Sequence, residues 1–423
     1  MSNAFSKEER VAFEDILEGF QDALVLSKLV SKYTTDQVSM ERANNIIWRP
    51  QPYIAQSFNG TDQTSNFVDS IQLSVPATIG FSKASPWVMT ASELRDSIQE
   101  NALGKAARQK LASDINVAVM SVAANQGTLF VKRAAAATGF DDVAQVEAIM
   151  NEQGVNGSDR YLALSTRDYN GMASNLASRA NMVGKPVTAY EKAYVGTVAS
   201  FETFKLDYAN SLTAAGGGVR TVSTLDAALN YYVPKATSTA STGETANVDN
   251  RYQTLTVSGT TGVVAGDAFT IANVFACHHI TKGSTGQLKT FRVISVPTST
   301  TLVISPPVIS AQAAGATDAE KAYQNCIVST KGASAAITWL NTVTASVNPF
   351  WHKDAIEILP GRYAVPTDAG AAVMRASTDQ GIELVMQKQY DINTMKTKYR
   401  LDTLFGVVNK QPQMSGIMMF SQT

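Results

Sequence analysis

Cys277-His278-His279 is the densest run of potential metal ligands and nucleophiles in the sequence. Thiolate and imidazole bind zinc, but ligand pairs usually leave two or more residues between them so that both side chains reach one ion. Three adjacent side chains do not converge in that way, and Cys326 and His352 are the remaining distant helpers. The run reads as part of a loop, and no metal is expected. His352, beside Trp351, has the imidazole that proton transfer needs, yet nothing in the sequence marks a second group to orient it. Gly216-Gly217-Gly218 lacks the surroundings of a phosphate loop, because Gly104-Lys105 is followed by Ala106 and Gly184-Lys185 by Pro186. The triplet reads as a hinge or tight turn. GxGxxG, GxSxG and HExxH are all missing. No catalytic residue, cofactor site or metal site is expected, and the chain does not read as an enzyme.

Charge points the same way. Lys105, Arg108 and Lys110, with Lys132-Arg133 further on, form the nearest approach to a basic stretch, and Glu93, Asp96, Glu100 and Asp114 offset them. Over 423 residues, 35 basic and 36 acidic side chains leave a net charge of −1. Proteins that grip nucleic-acid backbones carry a basic surplus or stripe, so this one reads as a solvated helix face. Asp141-Asp142 and the pair Glu14 and Glu18 also read as solvated. Two Cys are too few for a disulfide scaffold or a tetrathiolate zinc site. The start, Met1 to Arg10, is polar and lacks a signal peptide's apolar core. No apolar run of about 18 residues offers a membrane span. Asn59-Gly60-Thr61 and Asn156-Gly157-Ser158 match a glycosylation pattern but read as turns in a chain expected to be made in a reducing cytoplasm.

Elements that could position contacts are easier to find. Phe13, Ile16, Leu17, Phe20 and Leu24 recur at helical spacing after a capping pair, Ser6 and Glu9. A one-sided helix of this kind must dock on its own subunit or on a neighbour. Between residues 44 and 80, Pro50, Pro52, Pro76 and a central Asn59-Gly60 suggest an extended two-stranded arm with its tip near Gly60. From Glu93 to about Ala124 there is no Pro; Leu94, Ile98, Ala102, Ala106, Leu111, Ile115, Val119 and Val122 approximate one stripe of a long helix. Residues 135 to 221 read as mixed α/β, with a helix over Ala144 to Glu152 and a buried strand over Arg160 to Ser165. Tyr190 to Phe204 fits helix or strand. Residues 222 to about 342 are rich in Thr, Ser, Gly, Ala and Val. Tyr252 to Val257, Ala268 to Ala272, Lys289 to Val296 and Thr301 to Ser305 predict a small antiparallel barrel or sandwich. Two long loops, Pro234 to Val248 and Phe275 to Leu288, are expected to interrupt it. Ala355 to Leu359, Ile382 to Tyr390 and Met395 to Val408 read as later strands. Length alone allows two or three domains; the pattern fits one discontinuous body interrupted by a single β insertion.

A resemblance gathers these elements. Tyr33-Thr34, Ser39-Met40-Glu41-Arg42 and Asn45-Ile46-Ile47-Trp48-Arg49-Pro50 resemble the approach to the extended loop in coat proteins of short-tailed Salmonella-type bacteriophages. Glu93-Leu94-Arg95-Asp96, Ala106-Ala107-Arg108 and Lys110-Leu111-Ala112 resemble that family's spine helix. Asn247-Val248-Asp249-Asn250-Arg251-Tyr252, Thr260-Thr261-Gly262 and Gly266-Asp267 look like its inserted domain. Asn348-Pro349-Phe350-Trp351 with Asp354-Ala355-Ile356 resembles the return into the body. The motifs are spread over about residues 33 to 356, and none is quoted beyond 360.

The resemblance implies an α+β Hong-Kong-97-type capsid fold. Its parts would be an N-terminal arm (1–43), an extended E-loop (44–80), a peripheral domain with the spine helix (81–134), an axial domain (135–222), an inserted antiparallel β-barrel (223–342) and return strands (343–423). It implies a major capsid protein that forms hexamers and pentamers of an icosahedral procapsid with a scaffolding protein and a portal protein. That shell expands as double-stranded DNA is packaged, enclosing the DNA without sequence-specific binding. The expected partners include no membrane, and the expected location is the virion. Another virion structural protein, such as a tail component, is the alternative. Candidate subunit interfaces are Trp48, Asn59 and Gly60 on the extended loop, and Lys235, Glu244 and Asp249 in or beside the 234–248 loop, which corresponds to the family's intercapsomer loop.

Overall fold

The amphipathic pattern near the start forms the helix Lys7–Ala23, which buries Phe13, Ile16 and Phe20 as expected. In the computed structural model, the described residues are 7–33, 46–51, 57–64, 66–67, 71–90, 93, 97–177, 195–206, 210–222, 231–312, 315–328, 334–365, 371–379 and 381–423. Ser6, the expected cap of this helix, and residues 34–45, which carry part of the family motif, lie outside them. The chain divides into two units.

The first unit comprises Met1–Ile47, Pro76–Val122 and Ile356–Val408. Its long helix, Ser97–Gln126, has 30 residues, about 45 Å at 1.5 Å per residue, and its last residues are counted with the second unit. Leu111, Ile115, Val119 and Val122 are buried as the stripe requires. Ala102 and Ala106 are exposed, while Gly104 and Ala107 face inward. Alanine is small enough to sit on either face, so it carries little information about register. Leu94 lies outside the described residues. Glycine is what brings the two helices together. A Cβ on Gly104 would stand 2.8 Å from Ile16 Cδ1, and one on Gly19 would meet the Arg108 guanidinium. Arg108 Nη1 donates to the Asp15 carbonyl at 3.0 Å. A mid-helix glycine costs about 1 kcal/mol against alanine; here the missing Cβ is what permits the contact. The short-chain helix therefore docks on its own subunit.

A six-stranded sheet completes this unit. Its centre is the strand Lys396–Asn409, 14 residues long, which the sequence marks as a long strand needing partners. It pairs along ten residues with Phe81–Thr90 and along eight with Glu383–Asp391. Ala372–Ser377 extends one side, and Ile356–Pro360 with the parallel Ser31–Lys32 the other. Trp87 stacks on Tyr399 and Phe81 on Phe405. Pro86 sits on the outer strand opposite Arg400, an edge position of the kind where proline is tolerated.

The second unit comprises Trp48–Val75, Ala123–Ala355 and Asn409–Thr423. One six-stranded sheet runs in the order Leu129–Lys132, Ser415–Met419, Asn348–His352, Arg160–Ser165, Phe201–Leu206, Thr197–Val198. It settles the ambiguous 190–204 segment as strand from Thr197 onward; 190–194 lie outside the described residues. Helices Phe140–Glu152 and Thr166–Ala177 accompany it. Their Val143, Val146, Met150 and Met172 share a core with Leu162, Leu164, Phe201, Phe350 and Met418. Gly416 is required here: a Cβ would lie 2.2 Å from the Leu129 carbonyl of the adjacent strand. Asp142 corrects the sequence reading. It is fully buried, not solvated. Its carboxylate accepts from Arg133 Nε at 2.6 Å, Thr138 N at 2.7 Å and Gly139 N at 3.1 Å. An acid at the third helical position serves the unpaired N–H groups of the helix start, where the dipole also favours it.

The inserted module is a seven-stranded antiparallel sheet, ordered Arg220–Val222, Ala335–Trp339, Ala268–Cys277, Ser284–Thr298, Thr301–Ser305, Gln253–Thr256, with Cys326–Val328 beside Ala268–Cys277. A bridge between Val222 and Val257 closes the ring, and Ser258 N donates to Thr221 O at 2.9 Å. Phe269, Ile271, Phe291, Val293, Leu302, Ile304 and Ile337 fill it. The second expected loop is not one. Phe275–Cys277 and Ser284–Leu288 lie in paired strands, leaving a short connection at 278–283. Asn273, at φ +65°, falls where the register shifts. A bulge of this kind breaks the two-residue alternation by which strands are read. The Gly216–Gly218 triplet packs on the module: a Cβ on Gly216 would stand 2.9 Å from Gly262 O, and one on Gly217 2.6 Å from the Trp339 ring.

Replacing Ala106 by Pro removes a mid-helix N–H and drives its ring against the Ala102 carbonyl, at about 3 kcal/mol or more. The expected result is loss of soluble folded protein by circular dichroism, with Ala106→Ser unaffected. A folded A106P protein would refute the continuous helix.

Candidate assembly interface

The 234–248 segment is a short hairpin, Thr237–Thr239 paired with Thr245–Asn247. Ala240 N donates to Glu244 O at 2.8 Å and Gly243 N to Ala240 O at 2.9 Å, with Gly243 at φ +89°. Every side chain from Thr237 to Asn247 is exposed. A hairpin without a buried face is marginal by itself, so its conformation must be set at its root.

Asn250 sets it. Its Oδ1 accepts from Tyr232 Oη and Lys235 N, both at 3.0 Å. Its Nδ2 donates to Lys235 O at 2.9 Å and Val248 O at 3.0 Å. One buried amide thus uses all four of its bonds to hold both legs of the hairpin. The flanking residues brace it. Asp249 pairs with Arg251 at 2.7 Å, and Arg251 Nη1 reaches Asn409 O at 2.9 Å. Asp249 also bridges to Ser74, at the base of the extended loop. There Tyr323 Oη accepts from Leu73 N at 3.2 Å and donates to Ile71 O at 3.0 Å. The Asn247–Tyr252 motif is therefore a joint between hairpin, loop base and body.

The candidate residues separate accordingly. Trp48 is half-buried in the strand Ile46–Pro50, which pairs with Ser74–Thr78. Asn59 and Gly60 are exposed between those strands, Gly60 at φ +98°. Lys235 and Glu244 are exposed, and Asp249 spends its carboxylate on Arg251. Asn250 stood in the quoted Asn247–Tyr252 motif without a role, and Tyr323 went unmarked, because neither a buried amide nor a tyrosine hydroxyl has a sequence pattern of its own.

The residues that looked reactive are structural. Cys277 is buried and its Sγ donates to Gln324 O. His278 Nδ1 accepts from Ile280 N and Thr281 N, and its ring covers Gly154, where a Cβ would come within 2.8 Å. His279 N donates to Gln153 O at 3.2 Å. The run therefore docks the barrel on the end of helix Phe140–Glu152. Among the described residues no three metal-ligating side chains gather. His352 Nδ1 accepts from Asp354 N at 3.2 Å. Burial, then Lys289 and Lys282, pull the His279 pKa down to about 3. The basic stretch is also engaged: Lys105 meets Asp15 at 3.4 Å, Lys110 meets Asp114 at 2.7 Å, and Arg133 meets Asp142. A cavity of about 550 Å³ at the joint is lined by Leu73, Tyr323, His279, Lys282 and Pro412 among others.

The chain thus carries a long helix, two separate α+β units and an exposed hairpin held at its root by Asn250. The chain belongs to the P22 coat protein family: the model described as "P22 coat protein - gene protein 5" matches residues 1–421. The match includes the segment after 360, where no motif carried the resemblance. It is a phage major capsid protein, a structural and non-enzymatic component of the virion that self-assembles into capsid shells. A solved "CUS-3 coat protein I-domain" is 37% identical over 29% of this chain and 95% of its own, with a TM-score of 0.22. A chain from Mycobacterium phage Che8 is 9% identical over 93% of this chain and 90% of its own, TM-score 0.46. One from "Capsid structure of the Cyanophage P-SCSP1u" is 10% identical over 95% and 89%, TM-score 0.43.

Asn250→Ala removes the part-buried bonds to the Lys235 and Val248 backbone and should lower unfolding stability by about 1–3 kcal/mol, at roughly 0.5–1.5 kcal/mol net for each bond. Urea titration checks this; an unchanged midpoint would sink the clamp. His279 also sets a pH dependence. Its folded pKa lies below the unfolded 6.5, so the unfolded state binds more protons between those values. Stability present above pH 6.5 is lost as pH falls toward 3, by at most about 1.4 kcal/mol per pH unit. Urea midpoints at pH 7 and pH 5 should differ, and His279→Gln should narrow the difference; an equal drop in both proteins would contradict it.

Proposed function

We propose that the protein assembles as hexamers and pentamers of an icosahedral procapsid, with a scaffolding protein and a portal protein, and that this shell expands as double-stranded DNA enters. The hairpin carries the reading: all side chains from 237 to 247 are exposed while a single buried amide fixes both legs. A rigid root under a solvated projection suits a contact completed by a neighbouring capsomer. Lys235 and Glu244 are its free charges, and Asp249 acts from the root. The extended loop bearing Trp48, Asn59 and Gly60 reaches an adjacent subunit in the same way. Many modest contacts repeated on a closed lattice sum to a stable shell. A net charge of −1 lets the wall enclose DNA without holding it by sequence. Synthesis in the host cytoplasm and the six-part division from arm to return strands belong to the same proposal.

Deleting Ala236 to Glu244 leaves the Asn250 bonds to Lys235 and Val248 in place. The thermal melt of the subunit should stay close to that of the parent, while closed shells disappear from negative-stain micrographs. Normal shells would overturn the role of the hairpin.

A further inference from the structure

Of the three Asn-Gly pairs in this chain, Asn170-Gly171 lies inside the helix Thr166–Ala177; the two outside helices and strands, Asn59-Gly60 and Asn156-Gly157, are chemically alike and structurally different. We propose that Asn59-Gly60 is a site of spontaneous deamidation, and that Asn156-Gly157 is protected from the same reaction. In that reaction the Gly60 amide nitrogen attacks the Asn59 side-chain carbonyl carbon. A new C–N bond closes a five-membered succinimide, and the side-chain nitrogen leaves as ammonia after taking up the amide proton. Water then opens the ring at either carbonyl, giving aspartate or isoaspartate. No oxidant, metal or enzyme is needed.

Geometry separates the two sites. Asn59 and Gly60 are both exposed, and a Cβ built on Gly60 would meet nothing within 4 Å. The backbone carbonyls of Asn59 and Gly60 accept from Gln63 Nε2 at 3.4 and 2.6 Å. Neither the Asn59 side-chain amide nor the Gly60 N–H has a hydrogen bond among the described residues, so the electrophile and the nucleophile are both free to approach. Asn156 is held. Its Oδ1 accepts from Ser158 N at 3.4 Å. Its carbonyl accepts from Arg160 Nε at 2.7 Å, and Arg160 is itself buried and bonded to Val155 O and Asn151 Oδ1. Closing the ring at Asn156 must break this arrangement.

Modification takes the formal charge of each subunit from −1 to −2, at an exposed point of the extended loop. If that loop contacts an adjacent subunit, as proposed above, the shell carries a slow clock on that contact; the chemistry itself does not depend on that reading. The test is to incubate the purified full chain at mildly alkaline pH and follow both peptides by mass spectrometry, with isoaspartyl methyltransferase labelling to identify the product. Asn59 should convert at least roughly tenfold faster than Asn156, equivalent to about 1.4 kcal/mol in the barrier. In urea the two rates should converge, because the hydrogen bonds that distinguish them are gone. Asn59→Gln should remove the fast phase. Equal rates in the folded chain, faster loss at Asn156, no conversion at Asn59, or a rate difference that persists in urea would each overturn the proposal.

Discussion

A buried guanidinium stands where the barrel leaves and re-enters the body. Arg292 is fully buried; its Nε donates to Gly266 O at 2.9 Å and its Nη1 to Gly127 O at 3.5 Å. Asp267 lies beside it, held by Val264 N at 2.9 Å and by Asn341 Nδ2, also at 2.9 Å. Gly127 follows the long helix, Gly266-Asp267 opens a barrel strand, and Asn341 lies just beyond the last one. An isolated buried charge costs many kcal/mol, so the site tolerates the cation only with its partners in place. Burial lowers the Arg292 pKa to about 10 and raises that of Asp267, the two directions desolvation predicts for a cation and an acid.

The same principle recurs around the joint. Lys289 is buried and donates to Asn325 O at 3.0 Å and Gln413 Oε1 at 3.2 Å. Lys282 reaches Ala322 O at 2.7 Å, at the end of helix Asp318–Tyr323, where carbonyls lack helical partners and favour a cation. The barrel is thus fastened by directional polar contacts beside an apolar cluster that joins Ala268 to Phe130, Val347, Ile417 and Met419. Such contacts specify one orientation and lose much when broken. That is the rigidity a subunit needs if its hairpin and loop must meet neighbours at fixed positions.

Legibility in the sequence followed the physics of each segment. The helix Lys7–Ala23 and the strand Thr301–Ser305 were readable because large apolar side chains such as Phe13, Phe20 and Ile304 declare a face. The long helix was readable by its lack of Pro, but its Ala-rich first half misplaced Ala102 and Ala106. Strands Ser415–Met419 and Ala372–Ser377 went unseen, since short runs flanked by polar residues have no period to measure. Asp142 looked solvated until Arg133 and Thr138 were beside it.

Composition and order were readable directly: a near-neutral chain lacking the familiar catalytic motifs, with an arm, a rod and a β insertion in that succession. Local side-chain size and polarity act on the residue that carries them, so they can be read one position at a time. The tertiary structure decided which residues meet. Asn250 became a clamp, Cys277-His278-His279 a docking turn and Arg292 a buried tie because partners such as Lys235, Gln324 and Gly127, 15, 47 and 165 positions away, arrived beside them. Such bonds depend on three-dimensional register, and no spacing along the chain encodes it.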